Sequence, residues 1–187
     1  MKIKFYGHAG IKIEDDLVLL IDPWLNDNPL ATVKAEDIIK ADYIIATHNH
    51  FDHTNDIPII ANNTGATVVG IVETVEDLAS KGCNKTLGCN IGGKVKLKGL
   101  ELVFTQAFHS MSSNPSGVVI FYKNSIFYLF PRREIPSLIM DIPVLVNVEN
   151  NIKCDGQFPE GKNWPQGNLV PDLSIDGHCA KSALYRL

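Results

Sequence analysis

With 187 residues, 45% of them apolar and 20% charged, the chain has the size and composition of one globular domain with a sizeable core. A formal charge of −4 and an isoelectric point near 5.8 argue against a general nucleic-acid or anionic-lipid surface. The opening MKIKFYGHAGIKIEDD sets charges among its apolar positions, and the apolar run at 17–21 is far too short to cross a bilayer, so a cytoplasmic protein without a membrane partner is expected.

In chain order, Ile3 and Phe5 alternate with Lys2 and Lys4, and Ile11 and Ile13 with Lys12 and Glu14, which predicts two strands punctuated by Gly7 and Gly10. Asp15-Asp16 predicts a tight turn, and residues 17–21 a third strand stopped at Asp22-Pro23, where proline ends ladder pairing. Residues 34–40 carry short helical character. Residues 43–46 form a compact apolar run of the kind found in strands buried on both faces. A helix over 56–62, stopped by Asn62-Asn63-Thr64-Gly65, a buried strand over 67–70 and a helix over 73–81, closed by Gly82, continue a strand–helix alternation. From Lys94 to Tyr128 the pattern returns to strands: VKLKGLELVF broken at Gly99, then GVVIFY and SIFYLF joined by a hairpin turn at Lys123-Asn124. Residues 142–148 could form a strand, but 150–172 are rich in Asn, Gly and Pro and nearly without periodicity. Cys83, Cys89, Cys154 and Cys179 make no CxxC pair and read as free, mostly structural thiols.

Directly after the buried run at 43–46 stands THNHFDH, with three of the chain's six histidines and an aspartate. His48 and His50 are two apart, so in extended backbone their imidazoles leave on one side and can converge on one ion. Asp52 and His53 follow as the chain turns into a helix and project differently, which suits a second ion beside the first. Imidazole with carboxylate fits zinc, and also manganese or iron, because no thiolate makes the choice. The competing reading is a polar surface loop. Its position beyond the end of a buried strand favours a site, since ligands in open α/β sheets bind there.

HxHxDH resembles the signature of the metallo-β-lactamase superfamily. More narrowly, MKIKFYGHAGIKIE, LLIDPWLNDNPLA, ADYIIATHNHFDH, TGATVVGIVE, NIGG and TQAFHS, in this order, are similar to the small UPF0173 metal-dependent hydrolases, relatives of the ascorbate-6-phosphate lactonases. The resemblance covers residues 1–129 and implies a single α/β domain over 1–187, an αββα four-layer sandwich whose C-terminal half is incomplete or divergent. It also implies up to two divalent metals per chain. His48, His50 and His109 would hold the first, and Asp52 and His53 would begin the second site. Asp52 would also carry the catalytic role of orienting a hydroxide formed on the metals, which attacks an ester, lactone, amide or phosphodiester of a small metabolite. Asp22 matches an aspartate that accepts the free N–H of a ligand imidazole, against a plain strand-ending turn. His8 matches a histidine near the pocket, against a structural role on a strand end. A homo-oligomer is compatible with the sequence. An RNA-processing nuclease of the same superfamily is disfavoured by the acidic charge and by the lack of an inserted RNA-binding arm.

The resemblance stops near residue 130. The superfamily places a bridging aspartate in a His-Ala-Gly-Asp-Thr-like stretch after the hairpin and a last histidine near the C-terminus, whereas this chain reads Pro131-Arg132-Arg133-Glu134-Ile135-Pro136. The codons CCA CGC AGG GAG ATA CC would encode that string, and loss of one G leaves CAC GCA GGA GAT ACC in a neighbouring frame, which encodes His-Ala-Gly-Asp-Thr. A frameshifted or truncated gene product, with a catalytically impaired one-metal domain, is therefore the alternative to an active hydrolase. Codons incompatible with that string would overturn the frameshift. His178 is the remaining histidine that could complete the second site, against a place in a loose tail. Glu134 and Asp141 are the nearest carboxylates to the missing bridge, and neither has motif support.

Overall fold

The computed structural model describes residues 1–107, 109 and 115–129, together with the backbone of 153–154. The predicted strand 142–148, Glu134, Asp141 and His178 lie outside the described residues.

The amino-terminal alternation folds as an antiparallel meander of β1 (Lys2–Gly7), β2 (Gly10–Glu14) and β3 (Val18–Ile21). Parallel strands β4 (Tyr43–Ile45), β5 (Thr67–Ile71) and β6 (Thr86–Cys89) extend it, and a two-residue strand, β11 (Lys153–Cys154), runs parallel to β1 on its other side. The resulting sheet has seven strands in the order β11-β1-β2-β3-β4-β5-β6. All four residues of β3 are buried, as a strand covered on both faces requires. Strand β6 escaped the sequence reading because Thr86-Leu87-Gly88-Cys89 shows no alternation; it lies at the sheet edge and is mostly exposed.

A second, four-stranded antiparallel sheet consists of β7 (Lys94–Leu97), β8 (Leu100–Gln106), β9 (Ser116–Tyr122) and β10 (Ser125–Leu129), ordered β10-β9-β8-β7. Its turns fall where predicted: Gly99 has φ 87° and Lys123 φ 53°, left-handed conformations that tight turns between strands use. Between the sheets, Ile13, Leu19, Ile21, Ile45 and Val69 meet Leu102, Phe104, Ile120, Tyr122 and Phe127 in one continuous core.

Helices α2 (Ile57–Thr64) and α3 (Val72–Ser80) cover the other face of the large sheet, where Leu20, Ile44 and Val68 pack on Ile57, Ile60, Ala61 and Leu78. The helix stop foreseen at Asn62-Asn63-Thr64-Gly65 is a left-handed Gly65 with φ 71°. The short helix expected over 34–40 is instead one 3-10 turn, Ala35–Asp37, with extended backbone already at Ile38. Side chains close this turn off: Asn26 Oδ1 accepts from the Ala35 N–H at 2.9 Å, and Asp37 Oδ2 from the Lys34 N–H at 3.0 Å. The described layers are thus helix, sheet and sheet. The sequence that would supply the fourth layer of an αββα sandwich follows residue 129, outside the described residues.

Strand direction positions the site. Strands β1 and β3 are both antiparallel to β2, hence parallel to each other, and β4 is parallel to β3. The residues that follow these three strands, His8, Asp22 and His48, therefore emerge at one edge of the large sheet. His109 reaches the same edge from the small sheet, after β8. Among the described residues no helix is long and apolar enough to cross a membrane.

Candidate metal centre

After β4 the chain runs extended through His50 (φ −62°, ψ 146°) and enters a one-turn helix, α1 (Phe51–Thr54). The His50 carbonyl accepts from the His53 and Thr54 N–H groups at 3.1 Å each and from Thr54 Oγ1 at 2.9 Å, which sets the turn. Asp52 and His53 thereby leave the extended path of His48 and His50, as the sequence spacing implied.

The five predicted ligand side chains, joined by His8, meet in two groups. His48 Nε2 lies 3.1 Å from His50 Nδ1, and His109 Nε2 lies 3.2 Å from the same atom. Beside them, His8 Nε2 lies 3.2 Å from Asp52 Oδ2 and 3.3 Å from His53 Nε2. The His48 and His53 rings, 4.0 Å apart, form the wall between the two groups. Within each of the sets His48–His50–His109 and His8–Asp52–His53, one ligand-type atom per residue lies within 4.8 Å of the others, so each could hold a metal ion. Imidazole and carboxylate donors without thiolate suit a borderline or hard divalent cation.

Asp22 approaches His48 and His53 as closely, yet its oxygens are already engaged. Oδ1 accepts from the Thr47 N–H at 2.8 Å, while Oδ2 accepts from Thr47 Oγ1 at 2.6 Å and from His53 Nδ1 at 3.0 Å. This is the arrangement expected of a carboxylate that fixes an imidazole tautomer. Burial works to raise the Asp22 carboxyl, but the charge and hydrogen bond of His53, then His48 and Thr47, outweigh it and hold it below its ordinary range. In the neutral form that binds a metal, His53 carries its proton on Nδ1 against the ionised Asp22, and its Nε2 lone pair faces the site. Thr47 extends the logic to His48. Its hydroxyl proton goes to Asp22, so its oxygen accepts from His48 Nδ1 at 2.9 Å, and the His48 Nε2 lone pair also faces inward. Burial, reinforced by the His53 charge, pushes the His48 imidazole down to about 3 and keeps it neutral at pH 7, the form a ligand needs.

Both Asp22 (φ 43°) and His8 (φ 54°) hold left-handed backbone. Aspartate tolerates that region better than most side chains, and Asp22 also precedes a proline. Two such positions at one cluster mark a site whose geometry the fold over-determines.

Several residues that build the site carried no sequence signal of their own. Asp56, buried and read only as a helix start, accepts from the Leu25 and Asn26 N–H groups at 2.5 and 2.8 Å and pins the loop after Asp22. Ser116 Oγ donates to the Thr47 carbonyl at 2.6 Å and couples the small sheet to the metal loop. Trp24 packs edge-on to His8 and to Phe51, with ring centroids 5.3 and 6.0 Å apart, and Phe51 is 69% exposed. Of this pair, only Phe51 stands inside the ligand motif THNHFDH, where a large aromatic residue was visible in sequence. Cys83 and Cys89 are free thiols, as expected.

A sheet edge carrying two adjacent His/Asp clusters defines the metallo-β-lactamase type of α/β protein, and the Beta-lactamase superfamily domain matches residues 18–130. A protein of Pyrobaculum islandicum named UPF0173 metal-dependent hydrolase is 40% identical over 157 residues, which are 77% of this chain and 69% of the relative. A Thermofilum pendens protein of the same name is 38% identical, over 68% of this chain and 59% of its own length. Igni18, a metallo hydrolase from Ignicoccus hospitalis, superposes with a TM-score of 0.60 at 36% identity, covering 67% of this chain and 58% of Igni18. The isothiocyanate hydrolase from Delia radicum gut bacteria shares the fold, with a TM-score of 0.53 at 16% identity, over 68% of this chain and 61% of the other. The chain belongs to the UPF0173 metal-dependent hydrolase family of the β-lactamase superfamily, and it spans roughly 60–70% of the length of these relatives.

Proposed function

We propose that the chain is a metal-dependent hydrolase acting on an ester, lactone or phosphodiester of a small metabolite in the cytoplasm. The observation that carries this reading is the convergence of His48, His50 and His109 next to Asp52 and His53, at a sheet edge and with the ligand nitrogens of His48 and His53 turned inward by Asp22. His48, His50 and His109 would hold one divalent ion, zinc by donor type with manganese or iron as alternatives, and Asp52 and His53 would begin a second site. When bound, such ions supply a water ionised near neutral pH and a Lewis acid for a carbonyl or phosphoryl oxygen.

The protein's own contribution is placement. His48 and His53 form a fully buried floor, while His50, His109, His8 and Asp52 are partly open, so substrate approaches from one side. The Asp52 carboxylate, at the helix start and 26% exposed, stands where it can accept a proton from an attacking water and orient it. Phe51 and Trp24 offer an aromatic rim for an apolar group of the substrate.

The chain depleted of metal and then supplied with zinc, manganese or iron(II) tests this reading through hydrolysis of bis(p-nitrophenyl) phosphate and a p-nitrophenyl ester. Turnover that needs metal and disappears in His48→Ala is the expected result. Metal bound at both sites without turnover of any ester or diester would overturn it. A second reading rests on Pro131-Arg132-Arg133-Glu134-Ile135-Pro136, where the superfamily's bridging aspartate has no counterpart: a domain that binds one ion through His48, His50 and His109 and does not turn over. Residues 131–136 and His178 lie outside the described residues.

A further inference from the structure

Resting on the metal-centre reading, we infer that His8 is a direct ligand of the second metal ion, so that His8, Asp52 and His53 form a three-residue site without the bridging aspartate. His53 Nε2 bears its lone pair towards His8, because Asp22 fixes the His53 proton on Nδ1. His8 Nε2 lies 3.3 Å from that atom and 3.2 Å from Asp52 Oδ2, so one ring nitrogen meets two acceptor-type atoms. A single Nε2–H can point well at only one of them, whereas a divalent cation serves all three atoms at once.

The backbone is arranged for this aim. His8 sits at φ 54°, directly after a Gly7 at φ 93° whose missing side chain leaves room for Leu30 and Asn28. Asn28 Nδ2 holds the Tyr6 and Trp24 carbonyls at 3.3 and 3.0 Å, tying the turn that carries His8 to the loop after Asp22. A histidine with only a structural role on a strand end would not need a left-handed backbone against a second imidazole and a carboxylate. Three protein ligands with the remaining positions open are also what a catalytic ion requires.

The experiment is metal counting on the full chain. Wild type, His8→Asn, His8→Gln and His50→Ala are stripped with chelator and titrated with Co2+ and Zn2+, followed by calorimetry, visible absorption of Co2+ and elemental analysis after gel filtration. Asparagine tolerates the left-handed backbone at position 8, and glutamine keeps most of the side-chain length, so the two variants guard against a folding artefact. Near-ultraviolet circular dichroism checks the fold of each. The expected result is two ions per wild-type chain, with the second weakened at least about tenfold in both His8 variants and the first unaffected. In His50→Ala the first ion should be the one weakened. Two ions with unchanged affinity in both His8 variants would overturn the inference while leaving the metal centre intact. One ion in wild type, lost in His50→Ala and kept in the His8 variants, would do the same. No ion in any protein would overturn the inference together with the reading on which it rests.

Discussion

The Asp22 carboxylate holds His53 directly, Oδ2 to Nδ1 at 3.0 Å, and reaches His48 at one remove, through the Thr47 hydroxyl at 2.6 Å and then 2.9 Å to His48 Nδ1. One buried anion thus orients two imidazoles, one in each candidate ligand set. The strand order makes this economical, because Asp22 and Thr47 follow the adjacent parallel strands β3 and β4. The Asp22 N–H donates to the Ile45 carbonyl at 3.0 Å, so the two strand ends are also locked by backbone.

Thr47→Val tests the indirect arm of this relay. Valine keeps the shape and the backbone bond to Asp22 Oδ1 but removes the hydroxyl that receives His48 Nδ1–H. A buried ring nitrogen without its partner costs about 1–3 kcal/mol, and metal affinity should fall by about 10–100-fold, as for other groups that orient a ligand. Asp22→Asn should weaken both ions, because it touches both imidazoles. Titration with Zn2+ against a competing chelator separates the two. Equal affinities in wild type and Thr47→Val would refute the relay.

The buried His48 gives the metal-free protein an acid sensitivity with a definite sign. Unfolded, this imidazole takes up a proton near pH 6.5; folded, it does so only at about 3. Between those values the unfolded state binds more protons, so stability is full above about 6.5 and declines as pH falls through the window, by at most about 1.4 kcal/mol per pH unit from one group. Asp22, depressed in the fold, adds loss only below the ordinary carboxylate range. Urea unfolding of chelator-treated protein at pH 8, 6 and 4.5 measures the slope. A His48→Gln variant should flatten it.

How legible the site was depended on whether its parts are adjacent in sequence. THNHFDH could be read directly because side-chain period and a helix start determine where four neighbouring residues point. His109 needed the family pattern, since only the packing of two sheets brings it 3.2 Å from His50. Thr47, Asp56 and Ser116 were invisible because each acts through hydrogen bonds to residues distant in sequence, Thr47 to Asp22, Asp56 to Leu25 and Asn26, and Ser116 to Thr47, and a hydroxyl or carboxylate in sequence does not announce a buried partner. In the fold, alternating and doubly buried strands were legible. The edge strand β6 was not, because nearly all of its residues are exposed and no buried face imposes an alternating pattern. The short helix at 34–40 failed for a related reason: Asn26 and Asp37 offer backbone N–H groups local partners that favour a single turn.

Gly7→Ala probes the backbone that presents His8. At φ 93° any Cβ is strained, and here it would collide with the Leu30 Cβ, which belongs to a chain segment held by Asn28 and cannot simply rotate away. The substitution should cost more than about 1 kcal/mol and displace His8 from Asp52. Gly65→Ala is the contrast, since that glycine is also left-handed, at φ 71°, but has only the flexible Lys85 Nζ nearby. Both should lose stability on thermal unfolding. Only Gly7→Ala should also lower metal occupancy.

Metal removal should loosen the joint between the two sheets. His48 and His50 follow β4 of the large sheet and His109 follows β8 of the small one, so an ion held by all three joins the layers at the edge where the Ser116 bond to the Thr47 carbonyl already ties them. An ion at a free concentration one hundred times its dissociation constant stabilises the folded state by about 2.7 kcal/mol, and a chain of this length should respond with a rise in Tm of about 5–10 °C. Differential scanning calorimetry with Zn2+ and with chelator measures it. His109→Ala should abolish most of the rise, because the ion would then be held by ligands from one sheet alone. A chelator-insensitive Tm in protein shown to carry bound metal would mean that the ion does not bridge the layers, and that Ser116 and the apolar core around Phe104 and Phe127 hold the sheets together by themselves.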